Sequence, residues 1–196
     1  MSKIRTTGGG TKKEAIIKKA AMLFCRKGFA SSSMRELADL VGVEAPSLYN
    51  HIGSKSEILQ AICFQVANEF NNHLIKINKT TLSSSQKVET IIRFHIHMML
   101  HSYDAVFVAN HEWKQLADPF LSNFLNQRKL YENTLVSIVE EGIIKKEFKK
   151  LDPYVAVLTI LSAVRGLEFW FRHRRNIREK ELEDNMVIHL MNGLNK

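Results

Sequence analysis

The chain has 196 residues, 45% of them apolar, enough for one large domain or two small ones around a hydrophobic core. Lys and Arg number 28 against 20 Asp and Glu, a formal charge of +8 that favours polyanionic partners such as nucleic acid or an anionic membrane. No window reaches the ~18 uncharged apolar residues of a spanning helix, and no apolar run follows the first basic residues, so neither a membrane span nor export is expected.

The charge is uneven. Residues 1–60 hold ten basic and five acidic side chains, more than half of the net charge in under a third of the chain. The opening MSKIRTTGGG is polar and glycine-rich and reads as a flexible arm over residues 1–10. From Thr11, Ile16, Ala20, Leu23 and Phe24 recur at helical spacing, and KGF supplies basic residues and a glycine where that helix should stop. Cys25 lies in this helix and Cys63 in a later one. Two cysteines without CxxC spacing give neither a disulfide framework nor a zinc ribbon, and a reducing cytoplasm suits them.

Ser33 followed by Glu36 has the spacing of a capping box and predicts a helix running to about Leu40. Gly42 permits the positive φ of a tight turn, and Val43 locks the next helix against the last. Pro46, which lacks an N–H and has its φ preset, marks the first turn of a short helix over Ala45–Asn50. In that helix Leu48 faces inward, leaving a small, polar side free for close approach to another surface. The pattern is helix, turn, helix.

The stretch GFASSSMRELADLVGVEAPSLYNHIGSKSEIL, residues 28–59, resembles the DNA-binding signature of the tetracycline-repressor (TetR) family of bacterial regulators. The glycine-aromatic pair, the hydroxyls, the Arg-acid-Leu-Ala run, Gly-Val, Leu-Tyr-x-His and Ser-Lys follow in the family's order and spacing. Two positions depart from it: Glu44 stands where a Ser or Thr cap is common, and Ile52 where Phe often follows the histidine. The acid still suits the positive end of a helix.

The resemblance implies that the recognition helix enters the major groove. Ala45 and Pro46 can pack on a thymine methyl, Asn50 can address a base edge, and Arg35 can reach a guanine or a phosphate. Ser33, Ser47, Tyr49 and His51, with Lys55 at the start of the next helix, are expected to hold phosphates. This assigns residues 11–56 to a three-helix DNA-binding domain.

Beyond it, SEILQAICFQVANEFNNHLIKI, SQKVETIIRFHIHMMLHSY, AVFVANHEWKQL, PFLSNFLNQRKLYENTLVSIVEEGIIKKEF, a helix opened by Pro153, and EKELEDNMVIHLMNGL all read as helices. The chain is therefore all-α, with about nine helices, and the family resemblance implies that residues 57–196 form a ligand-binding and dimerisation domain. RKLYENTLVSIVEEGIIKKEFKKLDPYVAVL resembles C-terminal domains of the same family, in which a helix ends in Glu-Gly and a proline-led helix follows. That implies a dimer built on the last two helices, with Leu158, Leu161 and Leu190 at the interface.

The residues expected to line an effector pocket are Phe70, Leu74, Phe94, His97, Met98, His101, Phe107, His111, Trp113, Phe124 and Trp170, a largely apolar set with adaptable methionine. HEWKQL and GIIKKEF resemble family members that sense fatty acyl-CoA, so the effector expected is lipid-like, with a hydrophobic drug or aromatic compound as the other class. The helix starting at Ser56 links the two parts and would carry the switch.

Two alternatives stand beside a cytoplasmic dimeric repressor. His95, His97, His101 and His111 could serve a metal-dependent enzyme on a helical bundle, although HExxH and a nucleophile motif are both missing. A DNA-binding regulator controlled by a protein partner is the second. No cofactor is implied.

Overall fold

A computed structural model describes residues 11–172 and 177–195, with the side chains of 170–172 outside the description. The expected arm at residues 1–10 and the side chain of Trp170 lie outside it. Among the described residues there are ten α-helices: α1 (Lys12–Lys27), α2 (Met34–Val41), α3 (Ala45–Tyr49), α4 (Lys55–Asn78), α5 (Ser84–His101), α6 (Tyr103–His111), α7 (Phe120–Ile144), α8 (Pro153–Arg165), α9 (Leu167–Arg172) and α10 (Glu179–Leu194). One turn of 3-10 helix, Trp113–Gln115, joins α6 to α7. The chain is all-α as expected, and the count exceeds nine because the proline-led helix is divided at Gly166, a weak helix former. None of these helices is long and apolar enough to cross a membrane.

The chain forms two compact units. The first runs to Ala67 and includes Asp104–Leu125; the second comprises Asn68–Tyr103 and the chain from Asn126 onward. The helices α4 and α7 contribute residues to both.

In the first unit each short helix is fixed by a local signal. Thr11 and Glu14 form a reciprocal capping box at α1, and Ser33 and Glu36 form another at α2. Gly28 and Gly42 end these helices at φ 82° and 81°, a region that disfavours side chains. The N–H groups of Gly42 and Val43 both turn back to the Ala38 carbonyl, closing the turn into α3. The core beneath is Ile16, Ala20, Phe24, Phe29, Leu37, Leu48 and Ile52, with Phe24 and Phe29 in edge-to-face contact at 5.3 Å.

In the second unit α5 packs against α8, α9 and α10. Arg93 of α5 bonds Glu183 and Asp184 of α10 at 2.9 and 3.1 Å while its own-helix partner Glu89 lies at 2.9 Å. Gly142 lies inside the last turn of α7 and does not end it, unlike the Glu-Gly stop expected from the sequence. A Cβ there would meet the buried Phe148 ring at 2.4 Å, so the glycine serves close approach.

Candidate nucleic-acid interface and effector cluster

A five-residue helix such as α3 cannot persist alone in water. It persists here because Leu48 is wholly buried and the N–H of Ile52, itself in the core, returns to the Leu48 carbonyl. Burying one such side chain is worth about 1.5–3 kcal/mol. With Leu48 turned in, Pro46, Ser47, Tyr49, Asn50 and His51 are all exposed and Ala45 is half-buried. Tyr49 keeps 51% of its surface accessible. Glu44 caps α3 by position, without a side-chain hydrogen bond.

On α2, Arg35 is exposed, and Ser33 is exposed while its hydroxyl accepts the Glu36 N–H at 3.2 Å. The expected DNA-facing residues from Ser33 to His51 thus share one unit and, apart from Ala45, are all exposed. Two carboxylates behind them are tied down. Lys27 and then Ser33 hold the Glu36 carboxyl at about 2, and Lys13 with the Gly53 N–H holds Glu57 below the usual carboxylate range.

Lys55, which the resemblance places at a phosphate, has protein partners in this structure. Its ammonium donates to the carbonyls of Phe29 and Ser32, each at 2.7 Å, and lies 4.4 Å from the centre of the Phe29 ring. These partners stand 23 to 26 residues back, and no local pattern announces them.

The residues expected at the effector site are divided between the units. Phe107, His111, Trp113 and Phe124 belong to the first, where Phe107 stacks on His111 at 4.3 Å and Phe124 meets Phe64 at 6.0 Å. Phe70, Leu74, Phe94 and Met98 belong to the second. There Phe70 and Phe94 meet edge to face at 5.6 Å, and Leu74 and Met98 are buried. His97 is exposed, as is His101; the two rings stack on each other at 4.3 Å.

Three further residues, His73, His95 and Tyr131, join this cluster beyond those expected from the sequence. His95 stacks on Phe70 at 4.4 Å and its Nε2 is 2.7 Å from the Tyr131 hydroxyl, while His73 lies flat on Phe94 at 3.9 Å. Burial, then Arg165 and His73, push His95 down to about 3, although part of its surface stays accessible. Burial and Lys76 lower His73, and burial raises Tyr131. The cluster is therefore aromatic, with its imidazoles and phenol neutral at neutral pH. A sequence signal existed only in part, since Phe70 and His73, three residues apart, share a helix face.

The four histidines considered for a metal do not converge. His95 bonds Tyr131, His97 and His101 pair on the surface, and His111 stacks in the other unit. Among the described residues no group of three metal-binding side chains occurs.

At the interface expected for the dimer, Leu158 is 51% exposed on α8, beside exposed Tyr154 and Val155, and Ile188 is exposed on α10. Leu190 is half-buried and lines a groove with Val155, Thr159 and His189. Leu161 is only 7% exposed and packs inward.

Comparison with known proteins gives consistent matches. Residues 16–62 match the family described as bacterial regulatory proteins, tetR family, and residues 81–194 match the tetracyclin repressor-like C-terminal domain. The chain is similar to the HTH-type transcriptional repressor KstR2 of Mycolicibacterium smegmatis, 22% identical over 140 residues, covering 71% of this chain and 68% of that protein. Among solved structures, the ketosteroid transcriptional regulator KstR2 of Mycobacterium tuberculosis superposes with a TM-score of 0.89 at 19% identity, over 96% of this chain and 97% of that one. AibR in complex with isovaleryl coenzyme A and operator DNA gives 0.81 at 22% identity, over 92% and 98%. At these identities the structural likeness establishes the fold.

Proposed function

Because the chain belongs to the TetR family of bacterial regulatory proteins, DNA-binding transcription factors and not enzymes, we propose that it is a cytoplasmic repressor. It binds inverted-repeat operator DNA as a homodimer and releases it when a hydrophobic small molecule occupies its C-terminal part. The observation that carries this reading is α3 itself, a helix anchored by Leu48 alone whose remaining side chains are small or polar and largely exposed. Such a surface has no packing role within the unit, and its size suits a major groove.

The proposed division of labour follows the chemistry. Ala45 and Pro46 offer apolar contact to a thymine methyl, Asn50 a bidentate amide to a base edge, and Arg35 a guanidinium to guanine or phosphate. Ser33, Ser47, Tyr49 and His51 hold phosphates and set register. Residues 11–56 supply the DNA-binding domain and residues 57–196 the effector and dimer functions. Tyr154, Val155 and Leu158 of α8, with Ile188 and Leu190 of α10, form an apolar face that a second copy covers about a twofold axis.

For the effector, the aromatic wall of Phe70, Phe94 and Tyr131 favours an apolar body. The complex of AibR with isovaleryl coenzyme A supports an acyl-CoA or lipid-like class. A ligand changes DNA affinity only through its differential affinity for two states, and by reciprocity operator DNA weakens effector binding by the same factor. Calorimetric titration of the effector into free protein and into the operator complex tests this. A thousandfold induction requires about 4 kcal/mol of coupling. Equal affinities in both titrations exclude induction and leave a constitutive binder or control by a partner protein.

A further inference from the structure

The connection between α1 and α2, residues 28–33, has no regular structure, so its backbone carbonyls lack the ladder of a helix and take their partners from within the connection and from Lys55. The Gly28 carbonyl accepts the Ser32 hydroxyl at 2.7 Å. The carbonyls of Phe29, Ala30 and Ser32 all receive the Lys55 ammonium, at 2.7, 3.4 and 2.7 Å, with the Phe29 ring lying below the same charge. An ammonium has three protons, and these three acceptors use them.

The other two lysines that span elements of this unit are paired differently. Lys13 reaches Glu57 and Lys27 reaches Glu36. Lys55 has no carboxylate partner among the described residues. It sits in the first turn of α4, and what it grips is the strip of chain that leads into the Ser33 cap of α2 and on to Arg35.

We propose that Lys55 is a positioning residue for DNA binding: it holds the connection carrying Ser31 and Ser33 against the start of α4, and does not itself bind a phosphate. The assignment rests on the reading of the first unit as the DNA-binding module. A lysine whose protons are taken by carbonyls must break that grip to reach a phosphate, which would release the connection that leads into the Ser33 cap of α2. The clamp places Ser33 and Arg35 together, so its loss acts through them.

The direct test uses the full chain with 15N-labelled lysine, the Lys55 ammonium signal being assigned by its disappearance in Lys55→Arg. The expected signal shows slow proton exchange in the free protein, persists in the operator complex and has no coupling across a hydrogen bond to phosphorus. Fast exchange in the free protein, or coupling to phosphorus in the complex, overturns the proposal. If no operator is bound at all, the repressor reading fails, and the free-protein spectrum still decides on the clamp.

A double-mutant cycle supplies the second arm. Lys55→Met should lower operator affinity about tenfold or more, and adding Arg35→Gln should then cost much less than it does in the wild type. Losses that simply multiply would assign Lys55 a contact of its own and overturn the proposal. If Lys55→Met does not fold, the wild-type spectra carry the decision alone.

Discussion

The two units place polar chemistry on opposite sides of their surfaces. In the first, Arg35, Ser47, Asn50 and His51 stand exposed above a short helix, and the carboxylates behind them are held ionised and engaged by Lys27 and Lys13. In the second, imidazoles and a phenol are folded among aromatic rings and kept neutral. A polyanion is met by exposed donors on fixed helices, whereas an apolar effector calls for a wall that has lost its charge. Each unit has the electrostatics that its proposed ligand requires.

That contrast can be broken most severely at Leu48. Leu48→Ala removes the side chain that anchors α3 and should cost about 2–5 kcal/mol, with operator binding lost before the rest of the chain melts. Thermal unfolding combined with an operator-binding assay reads both effects, and full operator affinity would show that α3 is not the reading head.

A second contrast lies within α8. Leu158→Glu places charge on an exposed site and should give folded monomers in sedimentation, whereas Leu161→Glu buries a charge and should unfold the protein. A folded, dimeric Leu158→Glu variant would move the interface elsewhere.

Next is Asn50→Ala, which should relax preference at one base position by about 1–3 kcal/mol while Tyr49→Phe weakens all sequences alike. Competition binding with single-base variants separates the two patterns.

The smallest effect concerns pH. The folded His95 is pushed down to about 3 from an ordinary 6.5, so its neutral form is favoured by folding. Its contribution is fully present above about pH 6.5 and is lost as pH falls toward 3, at up to about 1.4 kcal/mol per pH unit from one proton. Denaturant unfolding at pH 7.5 and 5.5 should therefore show the wild type losing about 1 kcal/mol more than His95→Gln. Equal losses would mean that the ring stays solvated.

What the sequence disclosed follows the same division. The Ser33 and Glu36 box, the Gly42 turn and the Pro46 start each act within a few residues, and the structure forms all three. Lys55 reaches back 23 residues or more, and His95 finds Tyr131 across 36, distances over which no spacing rule operates. In α8 both Leu158 and Leu161 are apolar, and a helix apolar on most of its faces does not declare which side is core. Gly142 was legible as a glycine near a helix end, but its reason, the Phe148 ring, appears only in three dimensions.

The measurement that bears most directly on the repressor reading is selection of binding sites from random duplex DNA by the purified protein without effector or metal, followed by footprinting of the enriched sequence. The expected product is an inverted repeat with half-site centres about one helical turn apart or somewhat more, protected on both halves. No enrichment, or a single asymmetric half-site, would contradict it.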